Sequence, residues 1–450
     1  MAVSESQPLQ PLPGRSGWLM GLRETLAYLR DPDRFVAERS AAFGPVFGTT
    51  LFFRPTAVVG GVEGVADFLQ QEEVIAESSL PAAFTALHTP YGALNQHGER
   101  HRATRAGYGP VLNRAALQQA LPVLDRGFSA FAERVQQQGS TRLAKELKLL
   151  CLNLFAEIFA GEALSSAEQD AFQTYNAALL SLSTRLPSFR RGQQALAFLQ
   201  EQMQQRLERF RRGELQGSCL AVFSANRDEQ DQPWSDERIV TATILLIWGA
   251  YIEVAALLAS SLILSRDQPQ VRERILAEAR QHPLQSSTAE TSLQAWDLPY
   301  TQGVLREALR LLPPGGGGFR LAAADVAIGG YRIPAGTVVT ADPRIGNRLA
   351  ALFPEPDRFQ PERWLESSGS RCPLAGTALR LPRGAWFPGG TGQHGCPGIP
   401  LAELCGRIFL VRWMQAIGRW QLPAAAAAIP YTLLPIRIPT DAFCLEVEAP

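Results

Sequence analysis

Cysteine is scarce in this chain and net charge is absent. Cys151, Cys219, Cys372, Cys396, Cys405 and Cys444 are too few for a disulfide framework in 450 residues, which points to a reducing, cytoplasmic setting. The 43 Lys and Arg balance 43 Asp and Glu, so no global field draws the chain to nucleic acid or anionic lipid, and only local basic faces are left for either. No charged start followed by an apolar run marks a signal peptide. Residues 1–18, rich in Pro, Ser and Gln, read as a flexible lead-in to one domain over 19–450. Residues 244–264 alone have the length to span a bilayer, but Gly249, Glu253, Ser260 and Ser261 interrupt them. The expectation is therefore a core helix and no transmembrane segment. Repeats are missing, and the alanines at 424–428 form the only low-complexity run. What is present is 46% hydrophobic and 19% charged, enough to bury a large core.

Periodicity divides the chain. Residues 45–59 alternate β-formers around Arg54-Pro55, as a strand hairpin does, whereas 115–280 place Leu, Phe and Ala at helical spacing. After Leu312 a proline pair and four glycines end a helix. Residues 326–340 then read as strand, Gly329-Gly330 turn, strand, Pro334-Ala335-Gly336 and strand. A Pro-, Gly- and aromatic-rich stretch over 353–395 leads into an apolar helix at 399–417. The fold class expected is mainly α with a smaller β-rich lobe.

Residues 386–398 set Cys396 among five glycines just ahead of that last helix. Glycine lets backbone approach a ligand, and a helix N-terminus favours a thiolate. A zinc site would need three further ligands, for which His394 and Cys405 are a weak set, whereas an axial thiolate on a macrocyclic iron needs none. An inert glycine-rich turn is the bland alternative.

The segment resembles the cysteine loop of the cytochrome P450 superfamily, with Gly390, Gly392, His394, Cys396 and Gly398 in register and Gly389 in place of the usual phenylalanine, Phe387 lying two positions earlier. The resemblance runs from Pro11 to Val447 and implies haem b with Cys396 as axial iron ligand. Glu307 and Arg310, in a Glu-x-x-Arg segment, and Arg363, in Pro361-Glu362-Arg363-Trp364, match the family's structural triad. His101 and Arg105, one turn apart, with Arg320 and His394, match its propionate partners.

Residues 245–253 are similar to the family's central-helix segment, but Tyr251 and Ile252 stand where its proton-delivering acid and threonine are expected. Glu253, about 100° around the helix from Ile252, is expected to face elsewhere and to pair with an arginine. The family implies a monooxygenase that inserts one oxygen atom from dioxygen into a small apolar substrate. Electrons would come from a separate ferredoxin-type donor and its reductase, because no flavin or iron-sulfur motif is attached. Arg407 and Arg412 are candidate docking cations, and residues 172–212 with the vicinity of Ala442 are candidate substrate-access elements. Two other readings stand beside it: a haem-thiolate isomerase or dehydratase acting on a hydroperoxide or endoperoxide without reductant, and a non-catalytic haem sensor.

Overall fold

The structure, a computed structural model, describes residues 8–181, 183–280, 292–365, 381–382, 384–422 and 429–448; Cys372 and the alanine run at 424–428 lie outside them. The helices are α1 (Gly21–Arg30), α2 (Pro32–Phe43), α3 (Val62–Gln70), α4 (Ala82–His88), α5 (Gly98–Leu112), α6 (Arg114–Gln138), α7 (Leu143–Ala160) and α8 (Ser166–Ala178). They continue with α9 (Pro187–Arg211), α10 (Ser218–Ala225), α11 (Asp236–Ser265), α12 (Pro269–Arg280), α13 (Pro299–Leu311), α14 (Pro343–Asn347) and α15 (Ile399–Ala416). Local signals set their ends. Ser165 and Glu168 close a capping box on α8, the Asn113 and Ser235 side chains cap α6 and α11, and Gly139 and Gly161 end α6 and α7 in the left-handed conformation.

The strands are β1 (Gln10–Pro11), β2 (Val46–Leu51), β3 (Arg54–Val59), β4 (Glu77–Ser78), β5 (Ser140–Thr141), β6 (Arg320–Leu321), β7 (Val326–Ile328), β8 (Tyr331–Ile333) and β9 (Val338–Ala341), followed by β10 (Arg419–Gln421), β11 (Tyr431–Thr432), β12 (Ile438–Pro439) and β13 (Leu445–Glu448). The largest sheet runs β2-β3-β9-β6-β4, and a three-stranded sheet β1-β8-β7 lies in the same lobe. The mainly-α architecture with a smaller β-rich lobe is thus the one observed. The hairpin turn, however, falls on Phe52-Phe53, because Leu51 pairs with Arg54.

The lead-in is shorter than expected. Gln10 and Pro11 pair in parallel with Tyr331 and Arg332, and Gly48 donates its N–H to the Pro13 carbonyl at 2.6 Å. Backbone groups on the β2 and β8 edges need partners, and residues 10–15 supply them.

The helical core is centred on α11. Ile244, Ile247, Ala255, Leu258 and Leu262 are fully buried in a cluster shared with α7, α13 and α15. Among the described residues α11 is the one helix long and apolar enough to cross a membrane, and most of it is inside the protein.

Candidate active site

The loop carrying Cys396 is folded by its glycines. Gly390 and Gly392 have φ of 78° and 70°, and the Cys396 N–H donates to the Gly389 carbonyl at 2.7 Å. A Cβ on Gly389 would stand 2.7 Å from Cys396 Cβ and 2.9 Å from Ile399 Cδ1, so only glycine fits there, while Phe387 packs into the sheet-side core. The Gly398 N–H reaches Cys396 Sγ at 3.3 Å. Cys396 is accessible, yet burial lifts its thiol to about 11, the Glu253 charge adds to the rise, and the Gly398 and Ile399 amides and Arg105 oppose it. The expected helix-terminus preference for thiolate is outweighed by desolvation, and a coordinated cation is what would deprotonate it. Cys405 is buried in α15, and no group of three or more His, Cys, Asp or Glu side chains is assembled for a metal ion among the described residues.

The structure brings together His101, Arg105, Arg320 and His394 beside this loop. The two imidazoles stack with centroids 3.7 Å apart, and Arg105 Nη2 donates to the Gly395 carbonyl. Burial, then the Arg105 and Arg320 charges, push His101 down to about 4; burial and Arg320 likewise lower His394. Burial brings Arg320 to about 10, with the Glu72 carboxylate working the other way. His101 Nδ1 is buried without a partner. Two guanidinium groups and two neutral imidazoles facing little negative charge, one with an orphaned ring nitrogen, fit an anionic group such as a pair of haem propionates.

Glu307, Arg310 and Arg363 form the expected cluster. Arg310 Nη2 and Nε donate to Glu307 Oε1 and Oε2 at 2.7 and 2.9 Å, and Arg363 Nε reaches Oε1 at 3.0 Å. The Gln360 N–H and the Trp364 indole add bonds at 3.0 and 2.9 Å. Burial alone would raise the Glu307 carboxyl, but the Arg310 hydrogen bonds and charge, with Gln360 and Trp364, hold it below its ordinary value. Sequence reasoning missed Trp364, whose signal was an aromatic N–H donor in the Pro-Glu-Arg-aromatic segment.

The central helix corrects the expectation in register. It is α-helical throughout, without a bulge. Leu245, Gly249 and Glu253, four residues apart, are only partly covered, whereas Tyr251 and Ile252 are buried. A Cβ on Gly249 would meet nothing within 4 Å. The Glu253 charge raises the Cys396 thiol, so the two groups lie within electrostatic reach of one another. Among the described residues Glu253 has no hydrogen bond or ion pair, and desolvation alone raises it to about 7, so the arginine pairing expected for it is absent. Ile252 belongs to the core. Tyr251 points instead into a cleft of about 200 Å³ with Lys145, Lys148, Gln173, Asn176 and Asp441. The helix face toward Cys396 is therefore one residue on from the one read in the sequence.

Arg412 is held by both carboxylate oxygens of Asp125, at 2.6 and 2.8 Å, and Arg407 is largely desolvated, which lowers it; neither is a free docking cation. Phe172 is fully buried, with its ring edge toward Tyr251, and belongs to the core rather than to an access path.

The family profile for Cytochrome P450 matches residues 11–418. The chain belongs to the cytochrome P450 family. This P450 is 29% identical to the putative cytochrome P450 120 of Synechocystis over 92% of both chains, and 26% identical to the taxane 13-alpha-hydroxylase of Taxus cuspidata over 90% of its own length and 85% of the relative's. A solved structure described as retinoic acid bound cyanobacterial CYP120A1 superposes with a TM-score of 0.85, at 27% identity, over 98% of this chain and 100% of that one. The P450DA haem domain shares the fold at a TM-score of 0.83 and 18% identity. Membership makes the protein a haem-thiolate monooxygenase in the general sense, an oxidoreductase that binds haem iron.

Proposed function

We propose that this P450 binds haem b through Cys396 and hydroxylates a small apolar substrate of isoprenoid type in the cytoplasm, with electrons from a separate ferredoxin-type donor and its reductase. Bound haem supplies the oxygen-insertion chemistry. His101, Arg105, Arg320 and His394 would hold its propionates, and Cys396 would supply the thiolate to its iron. Leu245, Leu246, Gly249 and Ala250 offer an apolar, partly open face to the substrate. Two relatives support the substrate class through the ligands in their names, retinoic acid and taxanes, both apolar isoprenoid skeletons.

The observation that carries the monooxygenase reading over a reductant-free isomerase is Glu253. A carboxyl raised to about 7 by its apolar surroundings can hold and release a proton near neutral pH, a task for which the buried Ile252 is unsuited. Monooxygenation consumes protons in every turnover, whereas rearrangement or dehydration of a peroxide has no net proton demand, so a proton-relaying group serves the first reading more. Two measurements test the reading. Cys396→Ser is expected to abolish the thiolate-type red-shifted band of the reduced carbon monoxide complex, and a retained band would remove Cys396 from the iron. Product formed per electron donor consumed is expected to be substantial with a ferredoxin system; turnover of a hydroperoxide without reductant, faster than any donor-supported reaction, would overturn the assignment.

A further inference from the structure

The cleft of about 200 Å³ that Tyr251 lines opens between α7, α8 and α11. Tyr251 stands about 200° around α11 from Glu253, so the cleft is on the other side of that helix from the carboxyl that acts on Cys396. Its polar groups are nearly all donors. Lys145 and Lys148 stand one turn apart on α7, and Lys148 Nζ pairs with Asp441 Oδ1 at 2.6 Å. Glu146, the neighbouring carboxylate, is turned to Arg134 at 3.0 Å and leaves Lys145 without a counter-ion among the described residues. The Asn176 carbonyl oxygen accepts the Trp248 indole N–H at 3.0 Å, which leaves the Asn176 amide N–H groups for the cleft. Gln173 and the Tyr251 hydroxyl likewise have no hydrogen bond among the described residues, although Tyr251 is only 2% exposed. A buried hydroxyl without a partner carries a desolvation cost that a ligand acceptor would remove. Burial, then the Asp441 charge, raise the Tyr251 phenol, so it is a donor at neutral pH. Leu149, Leu152 and Ala177 supply the apolar part of the wall.

We propose that this cleft is a binding site, separate from the haem pocket, for a small organic carboxylate with a ring-sized apolar body. The carboxylate accepts from Lys145, Lys148 and the Tyr251 hydroxyl, and the body lies against Leu149, Leu152 and Ala177. An ionised carboxylate accepts hydrogen bonds and donates none, which complements a wall of donors. Two lysines against one aspartate leave a single positive charge, which a monoanion neutralises. The space suits one ring, since a cavity of about 150 Å³ admits benzene. A polyvalent inorganic anion would exceed that charge and leave the leucines uncovered.

The test is equilibrium dialysis of the haem-loaded protein with radiolabelled benzoate, in the presence of a saturating azole that ligates the iron and fills the haem pocket. One benzoate per chain is expected to bind without altering the absorption band of the azole complex. Acetate, which keeps the charge, and benzamide, which keeps the ring, are each expected to compete about tenfold more weakly than unlabelled benzoate. Lys145→Gln should weaken binding by about tenfold, and Ala177→Phe should abolish it by filling the cleft. Both positions are exposed, so both variants should melt with the wild type, which separates a lost site from lost folding. The azole spectrum reports the haem site independently, so failure of the cleft and failure of the haem assignment are read apart. Three results would overturn the proposal: no saturable benzoate binding, binding that neither variant weakens, or binding seen only when the azole is omitted.

Discussion

Glu253 concentrates the unusual chemistry of the central helix in one side chain. A carboxyl raised from 4.5 to about 7 on folding is neutral in both states at low pH. Between those values the folded state binds the additional proton, so stability falls as pH rises through the window, and the full cost, about 3 kcal/mol, stands above about pH 7. Glu253→Gln should therefore stabilise the protein by roughly that amount at about pH 8 and by little at about pH 4, read as the difference in urea unfolding free energy between the two proteins. Equal effects at both pH values would show that the carboxyl is not desolvated. The same variant should lower product per electron donor consumed, because the amide cannot pass on a proton. Ile252→Thr should leave that ratio unchanged and cost about 1–2 kcal/mol, because it puts a smaller, polar side chain into the core. The sequence made Cys396 legible through its glycines and the cation cluster through its order along the chain. It did not make legible which residue of 251–253 faces the interior, because α11 is apolar nearly all round and periodicity fixes no phase for such a helix.

At the scale of elements, Glu307 ties α13 to the segment around Gln360–Trp364, and Arg310 extends the tie to the carbonyls of Asn347 and Pro356 at 2.9 and 2.6 Å. Because Glu307 and Arg310 are wholly buried, removal of one partner leaves a charge without compensation. Arg363→Met removes one of two guanidinium partners and leaves Glu307 paired with Arg310, so it should cost about 1.5–3 kcal/mol and loosen the connection toward the cysteine loop, seen as faster haem loss as well as a lower melting temperature. Trp364→Phe deletes one donor while Arg310 still serves the same oxygen, so a cost of about 1 kcal/mol is expected. Equal losses from the two variants would show that the indole bond carries as much as the ion pair. These elements were readable because helical periodicity, Gly-Gly and Pro-Ala-Gly turns are local signals. The pairing of β1 with β8 was not, since a two-residue strand has no period and owes its existence to a distant edge.

Across the whole molecule, residues 10–15 strap the two sheets of the β-lobe together. Gly14, at φ 144°, lies so close to β2 that a Cβ would stand 1.9 Å from the Gly48 carbonyl oxygen. Gly14→Ala should lift the strap at a cost of about 2–3 kcal/mol and raise amide exchange in β2 and β8, with the helical core unaffected. The cation cluster beside Cys396 bears on how the cofactor is captured. Without haem, the Arg105 and Arg320 charges both act on the two imidazoles, and Glu72 is the carboxylate that offsets Arg320, so the cluster carries an excess of positive charge. Polyvalent anions such as sulfate should accordingly raise the melting temperature of the haem-free protein, and the same salt should do far less once haem is loaded. Loading would then be a neutralisation that completes folding, with the porphyrin carboxylates acting as the counter-ions the polypeptide does not encode.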